Sequence, residues 1–328
     1  SWVREISANA LDANIVVNSD KKVEIAFDID NNGKFLYIKD YGTGLSPEFV
    51  ENTFSKIGKS TKSESNTQIG GWGLGRCSIL AYQDSAFFIS NYEGVEYTYM
   101  ISKENGVTFN LLSSKETTEP NGTTVKVYLK KEWRETDTII KEIQNKCAYF
   151  EGIKCDYLTS PLIKNEHFYY CGDFIGDNNI HISLGGVYYK LPWDKLGIKP
   201  IPISVAIPFE IGSLPVTPNR EELRIEKHHL ELIETKLLNL MSYLKANVKT
   251  EFDNIHEYLA AKKGSKIEFV KDLWISYDDL GIDNLVYTPL KDLDLKDILP
   301  DLYWGTINKT KCELTRNSRG YCDKNSKR

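Results

Sequence analysis

The hydrophobic residues of this chain follow a helical period first and a strand period afterwards. One face of residues 2–14 carries four apolar residues at helical spacing, namely Trp2, Ile6, Ala10 and Ala13. That spacing predicts an amphipathic helix. Residues 23–29 and 35–39 instead alternate between apolar and polar positions, and the Asn31-Asn32-Gly33 turn between them predicts a β-hairpin.

A second run of alternation, between residues 79 and 130, predicts most of one sheet. Its strand-like segments are rich in β-branched and aromatic residues, and they cover residues 86–92, 96–102, 107–113 and 123–129. Residues 47–58 are predicted to form a short helix, because Ser46 suits the N-cap and Pro47 the first helical position. Helices combined with such a sheet predict an α/β sandwich whose helices cover one face.

Beyond residue 131 the pattern predicts a second region of helices and strands. Residues 136–150 have helical spacing, strand-like segments follow at 152–158, 168–172, 180–191 and 201–211, and a long helix is predicted at 225–248. The chain is therefore predicted to be α+β, with parts at residues 1–131, 132–250 and 251–328. The third part begins with a helical stretch, continues as loop-rich sequence, and carries no assigned chemistry.

Composition and charge limit the classes of function. The 328 residues include 41 basic and 46 acidic side chains, and the net charge of −5 argues against a general nucleic-acid coat while leaving a local basic patch open. The six cysteines are irregularly spaced without a C-x-x-C pair, which favours scattered reduced thiols over a disulfide framework or a zinc site. Neither a membrane span nor a signal peptide is visible, so we expect a cytoplasmic protein. Because residue 1 already lies within a helical pattern, we also expect further residues upstream.

Polar residues of the first predicted helix supply the first candidate site. Glu5 and Asn9 are four residues apart and Asp12 follows three residues later, so the three side chains project from a similar side. A polar stripe is commonly the solvated face of a helix. The alternative is a carboxylate and an amide directed into one polar pocket.

Two glycine-containing loops supply the rest of the candidate site. Asp40 ends a predicted strand and precedes Gly42 and Gly44, which indicates either a simple turn or a carboxylate placed to accept a hydrogen bond from a ligand amine. Residues 60–78 end in a cluster of glycines, Gly70, Gly71, Gly73 and Gly75. Backbone N–H groups in such a loop, leading into a helix, form a concavity that suits phosphate.

Four motifs in this order resemble those of the GHKL (Bergerat) ATPase superfamily, which includes Hsp90, gyrase B, MutL and histidine kinases. The motifs are Glu5-x-x-x-Asn9-Ala10-x-Asp12, Asp40-x-Gly42-x-Gly44, Gly71-x-Gly73-x-Gly75 and Asn121-Gly122-Thr123. The resemblance implies a Bergerat-type α/β sandwich that binds ATP and Mg²⁺ and hydrolyses ATP slowly. It also implies that a transducer-like or middle-domain-like α/β region follows.

The same resemblance implies roles for individual residues. Glu5 would be the catalytic base that activates water, and Asn9 would hold Mg²⁺ through its amide oxygen. Asp40 would accept the adenine amine, with Thr123 supporting it. The other implied ATP-binding residues are Asp12, Gly42, Gly44, Lys62, Gly71, Trp72, Gly73, Leu74 and Gly75. Residues 59–69 would form a lid, in which a solvated role for Lys62 is the alternative.

Residues 212–223 resemble the catalytic loop of the Hsp90 middle domain. Arg220 would there reach the γ-phosphate, because a guanidinium is permanently charged and can bind phosphate through two hydrogen bonds. An ordinary ion pair with Glu221 or Glu222 is the alternative. Topoisomerase and mismatch-repair proteins remain open as relatives, although they usually carry a lysine in this loop. A histidine kinase is disfavoured, since no helix carries a phosphoacceptor histidine in a suitable context.

Within the superfamily, residues 54–75, 185–189 and 212–221 resemble the rIIA rapid-lysis proteins of T-even-like bacteriophages. This resemblance implies a phage-encoded protein of the host cytoplasm that associates peripherally with the inner membrane. It further implies an effect on lysis inhibition or exclusion through an unknown protein partner, and the superfamily implies a homodimer of the longer parent. The alternative is a nucleotide-gated binding module of the Hsp90, MutL or topoisomerase kind with little intrinsic hydrolysis.

Overall fold

The computed structural model of the chain describes residues 1–54, 75–103, 107–158, 162–172, 178–217 and 222–287. The chain divides into two units. The first consists of Ser1–Val248 with Lys266–Gly281, and the second of Lys249–Ser265 with Ile282–Arg328.

Helix α1 (Trp2–Val16) opens the first unit, where the sequence predicts it. The Ser1 hydroxyl caps the helix by accepting a hydrogen bond from the Arg4 N–H. Burial agrees with the predicted apolar face at Trp2, Ile6 and Ala10. The fourth member of that face, Ala13, is partly exposed.

The first sheet contains β1 (Val23–Asp30), β2 (Gly33–Lys39), β3 (Ser85–Tyr92), β4 (Val95–Ser102), β5 (Thr108–Glu116), β6 (Gly122–Tyr128) and β7 (Ile153–Lys154). The strands lie in the order β5-β4-β3-β6-β2-β1-β7. The pairs are antiparallel, except that β7 runs parallel to β1. The predicted hairpin is confirmed, with Asp30 opposite Gly33 at its turn.

Helix α1 packs against strands β1 and β2 of this sheet. Helix α3 (Glu135–Cys147) packs against α1, and the Ser1 hydroxyl donates to Glu142 Oε1 over 2.5 Å. Short helix α2 (Pro47–Phe49) begins at its predicted cap, where the Ser46 hydroxyl accepts from the Phe49 N–H, and it continues as the π-helical turn Val50–Phe54. The predicted mixed α/β fold, with a large sheet accompanied by helices, is confirmed.

A second sheet follows within the same unit. It contains β8 (Ile163–Lys164), β9 (Tyr169–Tyr170), β10 (Ile180–Leu184), β11 (Val187–Lys190) and β12 (Val205–Phe209), in the order β11-β10-β12-β9-β8. After the short helix α4 (Trp193–Leu196), the long helix α5 (Lys227–Asn247) packs against β12. The buried apolar residues of α5 are Ile233, Leu237, Leu240 and Leu244. The predicted second α/β region is thereby confirmed.

Strands also occur where the sequence predicts only loops after residue 264. In the first unit, β14 (Lys266–Val270) and β15 (Leu273–Ser276) form an antiparallel hairpin, and the Phe269 ring lies 6.2 Å from that of Tyr243. In the second unit, β13 (Glu251–Phe252) pairs in parallel with β16 (Val286–Tyr287), next to α6 (Ile255–Lys262). None of the helices described in either unit has the length and apolar character that crossing a membrane requires.

The cysteines that fall in the described ranges form no disulfide bonds with one another, namely Cys77, Cys147, Cys155 and Cys171. Cys312 and Cys322 lie outside the described residues.

Candidate functional site

Asp40 directly follows β2 at the start of the predicted ligand loop, and backbone groups fix its carboxylate. Its Oδ1 accepts hydrogen bonds from the N–H groups of Gly42, at 2.9 Å, and Thr123, at 3.0 Å. Its own N–H donates to the Thr123 carbonyl at 2.9 Å. The residue is only 7% exposed. Because an ionised carboxylate can only accept hydrogen bonds, this arrangement presents a fixed acceptor that suits a ligand amine.

The loop after Asp40 touches two other elements so closely that it requires glycine. Gly44 adopts φ +77°, and a Cβ at this position would lie 2.2 Å from the Asn91 carbonyl oxygen of β3. A Cβ at Gly42 would lie 2.8 Å from the Ala13 Cβ of α1. The loop therefore packs tightly between α1 and β3, and only glycine fits at these two positions.

Ser90 and Asn14, which were not among the predicted site residues, also hold this loop. The Ser90 hydroxyl accepts a hydrogen bond from the Leu45 N–H at 2.7 Å and lies 3.2 Å from the Leu45 carbonyl. Asn14 accepts from the Tyr41 N–H at 2.7 Å and donates to the Lys21 carbonyl at 2.9 Å. A serine on the inward face of an apolar strand is a signal that could have identified Ser90. Nothing in the sequence distinguishes Asn14 from other polar residues near a helix end.

A partly exposed stripe runs along α1 through Glu5, Asn9 and Ala13. Every other residue of α1 from Trp2 to Asn14 is buried. The three positions are four residues apart and therefore share one side of the helix. At a rise of 1.5 Å per residue, the stripe extends for about 12 Å. Since Ala13 borders Gly42, the stripe leads from Glu5 to the loop that follows Asp40.

Three predicted residues of α1 occupy different environments. Glu5 is partly exposed, and its Oε1 accepts hydrogen bonds from Arg4 Nε at 3.2 Å and Nη2 at 2.9 Å. Asn9 is partly exposed on the same stripe. Asp12 is completely buried, so it lies beneath the stripe rather than on it. The assignment of all three to an ATP site stays a prediction.

The glycine stretch is described only at its end. Lys62, Gly71, Trp72, Gly73, Leu74 and Arg220 lie outside the described residues, as does the predicted lid at 59–69. Gly75 opens the 3₁₀ helix Gly75–Ala81, which packs against α1. Trp2 stacks on Tyr82 just after this helix, with ring centroids 5.4 Å apart. The far end of this 3₁₀ helix thus lies beside the start of α1.

The site chemistry fits a magnesium ion held mainly by a bound nucleotide. In the described part of the chain, no group of three or more His, Cys, Asp or Glu side chains is arranged to hold a metal ion. Asn9 offers an amide oxygen on the accessible stripe, and oxygen is the donor that Mg²⁺ prefers. Mg²⁺ commonly takes one or two protein ligands and completes its shell with phosphates and water. One protein ligand in this position is compatible with that pattern.

Comparison with known proteins identifies the class of the first region. Residues 2–134 match the family described as histidine kinase-, DNA gyrase B-, and HSP90-like ATPase. The prediction of a GHKL ATPase domain is therefore confirmed for this region, which contains α1, the Asp40 loop and strands β1–β6.

Curated relatives match a longer part of the chain. The B subunit of type 2 DNA topoisomerase 6 from Sulfurisphaera tokodaii is 28% identical over 224 residues, which are 62% of this chain and 38% of the relative. The corresponding protein of Saccharolobus solfataricus, which has the same name, is 25% identical over 281 residues, which are 81% of this chain and 47% of the relative. The chain thus spans less than half the length of these relatives. They give the predicted resemblance to phage rIIA proteins no support.

Proposed function

We propose that the first region binds ATP with Mg²⁺ and that the chain is a nucleotide-gated module. The observation that carries this proposal is the fixed and buried carboxylate of Asp40 at one end of the α1 stripe. Asp40 would accept the adenine amine, while Asn9 and Glu5 would lie progressively closer to the phosphates. Mg²⁺, when bound, would offset the negative charge of those phosphates.

We propose that this module works within a multi-subunit assembly similar to a DNA topoisomerase. The relatives are named as components of a DNA topoisomerase, and their similarity extends into the second α/β region of this chain. The chain itself carries a net charge of −5, which favours contact with a DNA-acting partner protein over extensive direct contact with DNA. The phage rIIA function and the peripheral membrane association remain predictions without support.

Replacement of Asp40 by asparagine tests nucleotide binding. Asp40→Asn nearly preserves the shape of the side chain but removes its charge and turns one acceptor into a donor. A hydrogen bond to a charged group contributes about 1.5–3 kcal/mol, so binding should weaken by about 10- to 100-fold. Calorimetric titration with the non-hydrolysable analogue AMP-PNP and Mg²⁺ measures this effect.

The matched control is Asp28→Asn, because Asp28 is exposed on β1 and its carboxylate accepts a local hydrogen bond from the Ile29 N–H. This variant should bind AMP-PNP as the parent does. Unchanged affinity in Asp40→Asn, or equal losses in both variants, would show that Asp40 does not recognise the nucleotide.

ATP hydrolysis is a second proposed function, favoured by the position of Glu5 on the same stripe as Asn9. Glu5→Ala should retain AMP-PNP binding and lose phosphate release, because a general base acts on the attacking water rather than on binding. Glu234→Ala, at an exposed position of α5, is the control and should retain the parental rate. Parental turnover in Glu5→Ala would refute the assignment of the base.

Two measurements on the unsubstituted chain, nucleotide binding and phosphate release, distinguish the two proposed functions. AMP-PNP binding without phosphate release above the blank would indicate a gating module with negligible hydrolysis. In either case, Arg220 is proposed to contribute from the second region, and Arg220→Ala should lower turnover more than binding if it stabilises the transferring phosphoryl group.

A further inference from the structure

A cleft lies between the end of α1 and the second sheet. Its volume is about 970 Å³, and its walls come from the end of α1, from residues 149–152 and from strands β10 and β12. Small-molecule sites typically have volumes of about 300–1,000 Å³ and combine an apolar lining with a few polar groups. The cleft is therefore large enough for a ligand of drug-like size, and the proposed ATP site does not use it.

One hydroxyl group in the cleft is buried without a partner. Ser183 of β10 is 1% exposed, and its Oγ has no hydrogen-bond partner in the described ranges. Ser183 is opposite Tyr188 on β11 and Pro208 on β12, and it lines the cleft. Buried hydroxyl groups in folded proteins are almost always hydrogen-bonded. A polar atom of a ligand in the cleft would provide the missing partner.

Apolar side chains form much of the cleft lining. The buried rings of Phe150 and Phe209 contribute to the walls, and Ile15 lies at the edge with 56% of its surface exposed. Ile15 is followed by Val16 and Val17, which are also exposed. The end of α1 therefore extends the apolar surface beyond the cleft.

Charged residues in the lining are three lysines and two glutamates, Lys21, Lys164, Lys236, Glu151 and Glu210. Lys164 forms an ion pair with Glu151. Lys236 donates to the Pro208 carbonyl at 2.8 Å, and the Lys21 ammonium lies 4.7 Å from the centre of the Tyr41 ring. In the described part of the chain, neither Lys21 nor Lys236 is paired with a carboxylate. An anion could therefore bind to these two ammonium groups without displacing an existing ion pair.

We infer that this cleft binds a small amphipathic anion at a second site, separate from the proposed ATP site. The ligand has an aromatic or aliphatic body, which lies against Phe150 and Phe209. Its carboxylate, sulfonate or phosphate group lies near Lys21 and Lys236, and one of its polar atoms pairs with the Ser183 hydroxyl. Binding in the cleft would stabilise the arrangement of α1 and the second sheet that forms its walls.

The site also borders the proposed nucleotide site through one shared residue. Asn14 lines the cleft and, at the same time, accepts the hydrogen bond from the Tyr41 N–H next to Asp40. A ligand that contacts Asn14 therefore touches the support of the nucleotide loop. By linkage, any effect of this ligand on nucleotide affinity must equal the effect of the nucleotide on ligand affinity.

Fluorescence titration with 8-anilinonaphthalene-1-sulfonate, an aromatic monoanion, tests the inference on the full chain. We expect saturable binding of one molecule, retained at saturating AMP-PNP. Lys236→Met, which keeps the apolar stem and removes the ammonium, should weaken binding at least fivefold. Lys245→Met, at an exposed position of the same helix α5, is the matched control and should bind as the parent does. Lys21→Met is an independent second variant that should also weaken binding, should Lys236→Met fail to fold.

The neutral analogue N-phenyl-1-naphthylamine separates charge recognition from general apolar binding. Its affinity should not change in Lys236→Met or Lys21→Met. The inference is overturned if the anionic probe does not saturate, if AMP-PNP displaces it competitively, or if neither lysine variant weakens its binding. Equal losses for the anionic and the neutral probe would likewise exclude recognition of the anion by these lysines.

Discussion

Replacement of Gly44 by alanine tests whether contact with β3 positions the loop that follows Asp40. Gly44 has φ +77°, and an L residue in this left-handed conformation costs about 1–2 kcal/mol. The added Cβ would also lie 2.2 Å from the Asn91 carbonyl oxygen. Real Cβ atoms do not approach a backbone oxygen this closely, so the loop must move away from β3.

The cost of this movement can be estimated separately from the strain. Forcing an extra methyl group into a packed region costs about 1–3 kcal/mol. The movement would also strain the hydrogen bonds between Leu45 and the Ser90 hydroxyl. Together with the backbone strain, we expect Gly44→Ala to lower the free energy of unfolding by about 2–5 kcal/mol.

Gly197→Ala provides a control for backbone strain alone. Gly197 ends α4 with φ +70°, and a Cβ there would have no heavy atom within 4 Å. The free energy of unfolding of this variant should therefore fall only by about 1–2 kcal/mol, which is the cost of the left-handed conformation. The difference between the two variants measures the clash with Asn91.

Urea denaturation gives the free energy of unfolding of both variants, and calorimetry with AMP-PNP and Mg²⁺ gives their nucleotide affinity. Gly44→Ala should also bind AMP-PNP at least tenfold more weakly, because the displaced loop contains the Gly42 N–H that fixes the Asp40 carboxylate. Gly197→Ala should bind as the parent does. Equal destabilisation of the two variants, together with parental AMP-PNP affinity in Gly44→Ala, would refute the reasoning.

Two further predictions concern titratable side chains. Hydrogen bonds from Lys126 and Tyr128 lower the pKa of Asp30 from 3.8 to about 2; its contribution to stability is therefore present above pH 4 and lost as the pH falls towards 2. Acid unfolding followed by circular dichroism should consequently depend less on pH in this range in Asp30→Asn, and an unchanged profile would contradict this. Burial raises the pKa of Cys147 to about 12, so iodoacetamide at pH 8 should alkylate Cys147 only after unfolding, as peptide mass mapping can show. Native-state labelling as fast as that of the partly exposed Cys77 would contradict the assigned burial.

The elements of the first sheet could be predicted because each has its own local pattern. In β1 and β2, alternating residues flank a short turn of Asn and Gly, and the observed register follows from that turn. The hairpin of β14 and β15 lacks such a turn: Asp272 takes the left-handed conformation there, with φ +65°, and the pairing is irregular after Glu268. Strands of two residues, such as β7, exist only because a neighbouring strand pairs with them, so no local pattern predicts them.

The candidate site was predictable where a motif carries its chemistry and unpredictable where distant residues support it. Asp40 and Gly44 have distinctive spacing, whereas Asn14 and Ser90 act through hydrogen bonds to residues 27 and 45 positions away. Such partners are set by how α1 and β3 pack around the loop. A sequence without its fold contains no signal for that packing. Ser90 has only the weak signal of a polar residue within an apolar strand.

The connections between the two sheets bear on how a nucleotide could act beyond its own site. The strand β7 pairs with β1 in the first sheet, and the Val23 N–H donates to the Gly152 carbonyl at 2.8 Å just before it. The buried residues Tyr149 and Ala148, only a few positions earlier, belong to a core cluster that includes Ala206 of the second sheet. This short segment is therefore fixed at both ends. Packed cores do not deform continuously. A nucleotide that shifts the first sheet must therefore either move the second sheet as well or disrupt this core cluster. Nucleotide gating requires that the second sheet moves together with the first.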